Sequence, residues 1–360
     1  MILSITDFGM QKIGAAQVAF INPPSVKLDF TDAANIADLW IIEKCVRNCI
    51  QSVISGMAVL PNRFLVKLDP KTDYFKAYQP HHGFVRLTIE KGTGIVAPKK
   101  SSGMSRLLAK VVKDIPDCYV KVNVGAEAEW RTSTQKNSTE PVWNETHDFL
   151  VADFEQAIGV DIKDDDLAGD DDIGIGYTTI KQVLLNGGEH EIALTHKDTP
   201  TDAKLTIRAK FYHFVADRFT LSADANEQGH TKDSVCGLVT ILVASALNLS
   251  GDKDDLNPSV EVTWGGKKFQ TAAKTYTPGT DIFNPSFDQA FKFHLTADMV
   301  ANPGAFRIAL MNRKHEAGSV EVPFEDILGA EGMTIADSFD VGSGASVRAS
   351  ISVHGVQRAE

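Results

Sequence analysis

Two tandem antiparallel β-sandwiches, preceded by an α+β segment with one long helix, are what the sequence predicts. Three observations carry that mainly β expectation. Apolar/polar alternations of strand length recur about eight times between Gly83 and Phe211, separated by turn-forming residues. A similar series runs from Cys236 to Val353. The two series share landmarks: Gly83-Phe-Val-Arg-Leu-Thr-Ile matches Gly237-Leu-Val-Thr-Ile-Leu-Val, and Glu140-Pro-Val-Trp-Asn-Glu145 matches Phe283-Asn-Pro-Ser-Phe-Asp288. Repetition at a period of about 150 residues means tandem domains rather than a solenoid.

Taken in order, Ala15 to Ile21 reads as a strand, and Pro23-Pro24 breaks it. Val26 to Phe30 alternates as a second short strand. Thr31 or Asp32 then caps a long helix. Its stripe of Ile36, Leu39/Trp40, Val46, Ile50, Val53/Ile54 and Met57 follows helical spacing, and Gly56 and Pro61 mark its end. Phe64 to Leu68 is a short strand. The first sandwich uses Phe84 to Glu90, Tyr119 to Val124, Arg131 to Thr134, His147 to Val151, Ile158 to Ile162, Ile173 to Thr178, His190 to Leu194 and Leu205 to Phe211. The second uses Leu238 to Ala244, Val260 to Trp264, Phe269 to Ala272, Ala290 to Phe293, Phe306 to Met311, Ser319 to Val322 and Val347 to Val353. The expected boundaries are therefore 1–70, a linker 71–82, 83–214, a polar linker 215–235, and 236–356.

At 360 residues the chain is long enough for two or three domains. A net charge of −11, with no basic stripe of the kind nucleic acid requires, argues against a general nucleic-acid binder. It does not exclude an anionic membrane, since local patches outweigh the total. Cys45, Cys49, Cys118 and Cys236 lack metal or disulfide spacing and read as free thiols of a reducing compartment. The sequons at Asn137, Asn144 and Asn248 read as coincidental, because Met1-Ile2-Leu3-Ser4 does not open a signal peptide. The most apolar stretch, Ile36 to Leu60, is interrupted by Glu43, Lys44, Arg47 and Asn48, so no membrane span is expected. No catalytic constellation stands out: His81-His82 falls in a linker, and Gly174-Ile-Gly176 follows an acidic loop rather than opening a dinucleotide fingerprint. A non-enzymatic function is expected.

The most pointed feature is acidic. Seven of the twelve residues from Asp161 to Asp172 are aspartate. Neighbouring carboxylates repel, and such a loop costs stability unless solvent or a cation relieves it. Hard oxygen donors on a short loop are what Ca²⁺ takes; a solvated acidic loop without metal is the plain alternative.

Three stretches resemble C2 domains, in the order and separation of that family. Pro116-Asp117-Cys118-Tyr119-Val120-Lys121-Val122 resembles its Asp-Pro-Tyr-Val-x-Val strand. Thr132 to Lys136 followed by Glu140-Pro-Val-Trp-Asn-Glu145 resembles its Thr-x-x-x-Lys…Asn-Pro-x-Trp-Asn-Glu stretch. Asp164-Asp-Asp166…Asp171-Asp-Ile-Gly174 resembles its third calcium loop. The resemblance implies a Ca²⁺ site between two loops at one tip. Asp117 takes the loop-one place; Asp164, Asp166 and Asp171 take the loop-three places, with Asp170 the alternative to Asp171. The family's earlier loop-one aspartate is replaced by Val111, with Asp114 the one nearby carboxylate. The second sandwich carries Asn257, Asn312 and Lys314 at ligand places and is expected to be Ca²⁺-independent.

The loop before Asp117 is long and basic. Lys99, Lys100, Arg106, Lys110 and Lys113 alternate with Met104, Leu107, Leu108, Val111 and Val112 at helical spacing. A basic amphipathic helix beside an acidic loop suits an anionic phospholipid surface, as an electrostatic switch; packing of its apolar stripe on the sandwich is the alternative. Upstream, Val26-Lys-Leu-Asp-Phe, the long helix and Val59-Leu-Pro-Asn-Arg63 resemble the end of the SMP lipid-binding domain that precedes C2 domains in extended synaptotagmins and tricalbins. This resemblance implies a glycerolipid ligand, homodimerisation through that segment, and a place on the cytoplasmic face of membranes at endoplasmic reticulum–plasma membrane contact sites. It also implies only the last third of an SMP domain here, with a membrane anchor upstream in the parent. A helical lead-in to the first sandwich, or a trafficking effector or interaction scaffold without lipid transfer, is the alternative reading.

Overall fold

The computed structural model describes residues 2–5, 11–28, 39–69, 71–96, 115–165, 170–221 and 235–359. The chain forms two compact units, Met1–Pro70 with Pro80–Tyr212 and Arg358–Glu360, and Lys71–Gln79 with His213–Gln357.

The first unit opens with a three-stranded antiparallel sheet, β1 (Ile2–Ile5), β2 (Gln11–Val18) and β3 (Phe64–Lys67), in that order. The helix Leu39–Ala58 lies between β2 and β3 in the chain. The alternation at Val26 to Phe30 does not make a strand over its described part, residues 26–28. Strand β2 takes β1 on one side and β3 on the other, and alternation marks a face without supplying a partner. Val46, Val53 and Met57 of the helical stripe are exposed, as are Val18, Phe20 and Leu68. The segment is tied to the sandwich by polar contacts. Asn22 Oδ1 accepts the Ala157 N–H at 2.6 Å, the Ala126 N–H donates to the Leu60 carbonyl at 2.8 Å, and His81 Nε2 lies 3.2 Å from the Pro61 carbonyl.

The sandwich of this unit uses β4 (Gly83–Thr93), β5 (Cys118–Val124), β6 (Trp130–Arg131), β7 (Val142–Val151), β8 (Ala157–Asp164), β9 (Asp171–Thr179), β10 (Glu189–His196) and β11 (Thr199–Val215). One layer runs β7–β4–β11–β10 and the other β6–β5–β8–β9, the two joined where Thr195 of β10 pairs with Ile175 of β9. Period-two side chains fill the space between them: Val85, Leu87 and Ile89 of β4, Val120 and Val122 of β5, Ile158, Val160 and Ile162 of β8, and Leu205 and Ile207 of β11. Each such side chain, fully buried, stabilises the fold by about 1.5–3 kcal/mol.

The second unit repeats this plan strand for strand. Its strands are β12 (Val235–Leu247), β13 (Pro258–Trp264), β14 (Lys267–Gln270), β15 (Ser286–Thr296), β16 (Ala305–Asn312), β17 (His315–Pro323), β18 (Thr334–Gly342) and β19 (Ala345–Arg358). The sheets are β15–β12–β19–β18 and β14–β13–β16–β17, so every strand of the first sandwich reappears eight places later. Trp264 anchors this core, stacked on Phe306 with centroids 4.7 Å apart and on Phe324 at 5.2 Å. Strand β18 lies outside the expected set; its Ala336, Asp337 and Ser338 are exposed and leave little apolar alternation to read. The stretch expected as a linker holds a one-turn helix, Tyr74–Ala77, capped by Asp73, whose carboxylate also pairs with Arg348 at 3.1 Å.

The matched glycines are demanded by packing. A Cβ on Gly83 falls 1.9 Å from the Tyr212 carbonyl oxygen, and one on Gly237 falls 2.4 Å from that of His354. We expect Gly83→Ala to cost roughly 1–3 kcal/mol, as overpacked core sites do, read as a lowered urea midpoint; an unchanged midpoint contradicts the close approach. The cysteines divide by environment. Cys45 and Cys49 are exposed, whereas Cys118 and Cys236 are buried. Burial first, and then the charges of Asp164 and Asp117, push the Cys118 thiol up to about 12. Iodoacetamide at pH 8 should therefore label Cys45 and Cys49 in the native chain and reach Cys118 and Cys236 only in urea, as mass spectrometry can check.

Candidate metal centre

The tip of the first sandwich gathers the ends of several strands. Strand β8 pairs with β5 on one side and β9 on the other, which places Cys118, Asp164 and Asp171 in one row. Asp117, one residue before Cys118, is thereby carried against the end of β8. Its N–H donates to Asp164 Oδ1 at 2.8 Å, and its carbonyl accepts the Asp165 N–H at 2.9 Å. Asp117 Oδ1 accepts the Asn137 N–H at 2.8 Å. Asp164 is buried, at 4% exposure.

The remaining aspartates are held in different ways. Asp165 Oδ2 accepts from Arg131 at 3.0 Å and from Thr134 Oγ1 at 2.8 Å. Asp170 Oδ2 accepts the Tyr119 hydroxyl at 2.5 Å. Burial, followed by this bond and the Asp170 charge, pushes that hydroxyl up to about 12. Lys163 serves Asp161, at 3.3 Å, and Asp172. The Lys163 hydrogen bond holds Asp172 below the usual carboxylate range, while burial raises Asp161. Asp161, Asp165 and Asp172, which fall outside the expected ligand set, are thus paired with cations.

Carboxylates and a backbone carbonyl are the donors a hard cation takes. Among the described residues, however, no group of three or more metal-ligating side chains comes together. Asp117 and Asp164 converge, with Asp171 opposite Asp164 in register. Asp166 and Asp114 lie outside the described residues, as do Lys99, Lys100, Arg106, Leu107, Leu108, Lys110 and Lys113.

The second sandwich provides an internal control. The Asn257 N–H donates to Asn312 Oδ1 at 2.7 Å, the same bond as Asp117 to Asp164 but with neutral amides. Val120 and Val260 are also equivalent, each donating its N–H to a threonine hydroxyl, Thr132 at 3.0 Å and Thr271 at 2.9 Å. A neutral amide therefore suffices for the tip's hydrogen bond, and folding alone does not call for the two charges of the first tip. The first tip also presents apolar side chains missed by sequence reasoning: Val96 is 72%, Val142 53% and Ile115 42% exposed. Val96 and Ile115 flank the long basic loop, whose own pattern is the stronger signal in the sequence. Tyr119 and Arg131 were also missed as partners of the acidic loop, since cross-strand register brings them to it.

Comparison with known proteins agrees with this architecture. The C2 domain family matches residues 84–193 and 237–337. Extended synaptotagmin-2 of Mus musculus is 24% identical over 351 residues, covering 92% of this chain and 39% of that protein. Extended synaptotagmin-3 of Homo sapiens is 25% identical over 357 residues, covering 91% and 37%. The chain thus spans under two-fifths of the length of these curated relatives. The solved structure of extended synaptotagmin 2 that holds its SMP domain and two C2 domains superposes with a TM-score of 0.65 at 19% identity, over 96% of this chain and 73% of that one. The calcium-bound pair of C2 domains from the same protein gives 0.61 at 19% identity, over 79% and 100%. At these identities the superpositions speak for the fold. Two C2 domains behind an SMP-like segment make this chain a member of the C2-domain proteins, of the extended synaptotagmin and tricalbin type.

Proposed function

We propose that the chain binds anionic phospholipid membranes through the tip of its first C2 domain under Ca²⁺ control, and serves tethering or lipid transfer at membrane contact sites. The observation that carries this reading is the pair Asp117 and Asp164, charged where the second domain makes the same bond with Asn257 and Asn312. Asp117, Asp164, Asp166 and Asp171 would hold the ion, with Asp170 and Asp114 as the further candidates. When bound, Ca²⁺ supplies positive charge and open coordination for headgroup phosphate oxygens. In its absence the carboxylates repel an anionic surface. Val96, Ile115 and Val142 are exposed at the same end and suit the apolar boundary of a bilayer. Lys99, Lys100, Arg106, Lys110 and Lys113, with Leu107 and Leu108, add attraction to anionic lipid.

The wider setting rests on the likeness to extended synaptotagmins. The chain acts without catalysis, on the cytoplasmic face of membranes, at contacts of the endoplasmic reticulum with the plasma membrane. Among the described residues no helix is long and apolar enough to cross a membrane. The apolar side chains left exposed on the SMP-like segment, Phe20, Val53 and Met57 among them, suit a glycerolipid chain or a second copy.

Co-sedimentation with phosphatidylserine vesicles, in Ca²⁺ and in chelator, tests the reading. Wild type should sediment in Ca²⁺ only. The double variant Asp117→Asn/Asp164→Asn keeps the bond that the second domain makes with amides, so it should fold, yet lose about tenfold or more in Ca²⁺-dependent affinity, since ligand charge sets the strength of such sites. Equal sedimentation with and without Ca²⁺ contradicts the switch, and no sedimentation at all favours an interaction scaffold.

A further inference from the structure

The acidic loop is anchored at both of its stems by one pair of side chains. Asp165 and Asp170 are the described residues on either side of 166–169. Asp170 is bound by the Tyr119 hydroxyl at 2.5 Å, and Asp165 by Arg131 at 3.0 Å. Arg131 also sits over Tyr119, its guanidinium carbon 3.6 Å from the ring centroid, while Thr134 joins Arg131 at 3.1 Å and Asp165 at 2.8 Å. Tyr119 is fully buried, so the cation rests on a fixed platform. An exposed ion pair alone stabilises little. Here the guanidinium is held by a carboxylate, a hydroxyl and an aromatic face together, which fixes its geometry.

The second domain isolates what this pair is for. Lys121 pairs with Arg131, and Glu261 with Gln270, at the same place in the two sheets. Arg131 therefore corresponds to Gln270, and Tyr119 to Ser259. Gln270 Nε2 donates to Ser259 Oγ at 2.9 Å, a short neutral contact. The connection that follows, from Asn312 to His315, is a two-residue turn. The cation and the phenol occur in the domain that carries the long acidic loop, and a neutral pair stands in the domain that lacks it.

We propose that Arg131, seated on Tyr119, is a built-in counter-cation for the acidic loop: it neutralises the stems in the metal-free chain and sets how strongly the remaining aspartates attract a divalent cation. Arg131 is a positioning residue in this role, acting through Asp165 and, by way of Tyr119, Asp170. Its effect on metal affinity rests on the Ca²⁺ reading above; its effect on the metal-free fold does not.

The test uses the whole chain and the substitution Arg131→Gln, which installs the residue the second domain carries. In chelator, melting should fall by about 2–4 °C, the shift expected when a network of this size is lost from a chain of two such domains. In calorimetric titration with CaCl₂, affinity should rise about three- to tenfold at low salt, because a unit positive charge has left the loop, and the gain should shrink at high salt. Arg131→Lys, which keeps the charge, should restore the wild-type affinity. An unchanged melting temperature in chelator overturns the counter-cation. Unchanged or weaker Ca²⁺ affinity in Arg131→Gln, or Arg131→Lys behaving as Arg131→Gln, overturns its control of affinity. If wild type takes up no Ca²⁺, the functional reading fails, and melting in chelator still decides the counter-cation.

Discussion

A single hydrogen bond across the tip of each sandwich organises what surrounds it. The residue before β5 donates its N–H to the side chain that ends β8, and the residue before β13 does the same to the end of β16. A buried backbone N–H without a partner costs as much as a lost hydrogen bond, so this position requires an acceptor. Asn and Asp both qualify by shape. The fold thus leaves open whether the tip is neutral or charged, and the two domains take opposite options on the same frame.

From that choice the rest of the first tip follows. Once Asp117 and Asp164 are charged and adjacent, each further carboxylate raises the electrostatic cost of the loop. The chain meets it locally: Lys163 lies between Asp161 and Asp172, and Arg131 takes Asp165. Asp117 and Asp164 belong to the end of the sandwich where Val96, Ile115 and Val142 are exposed. Concentrated negative charge next to apolar side chains is unfavourable in water and on an anionic bilayer alike, unless a cation arrives. In the second domain the Asn257 N–H finds a neutral acceptor in Asn312, and the turn after Asn312 is short.

The architecture was legible because it is written in period-two alternation and in glycines where two backbones touch. Leu87, Val122, Val160 and Ile207 alternate as a half-buried strand must. The repeat was visible in Gly83 and Gly237, which face a carbonyl oxygen of the last strand of their own sandwich. Elements without an apolar rhythm were less readable. Strand β18 shows mostly polar residues, and the one-turn helix Tyr74–Ala77 is too short for any helical period. Val26 to Phe30 carried the rhythm, but its described part, residues 26–28, joins no strand.

By itself, then, the sequence determined the mainly β class, the tandem arrangement, the long helix and the acidic loop as the place of interest. These depend on local spacing, which a linear chain displays. Tertiary structure alone decided how five of these neighbouring aspartates divide among different tasks. Asp161, Asp165 and Asp172 meet a lysine or arginine, Asp170 meets a phenol, and Asp164 turns inward to a backbone N–H. Carboxylates identical in sequence acquire distinct roles because strand register, which is non-local, selects the partner each one meets.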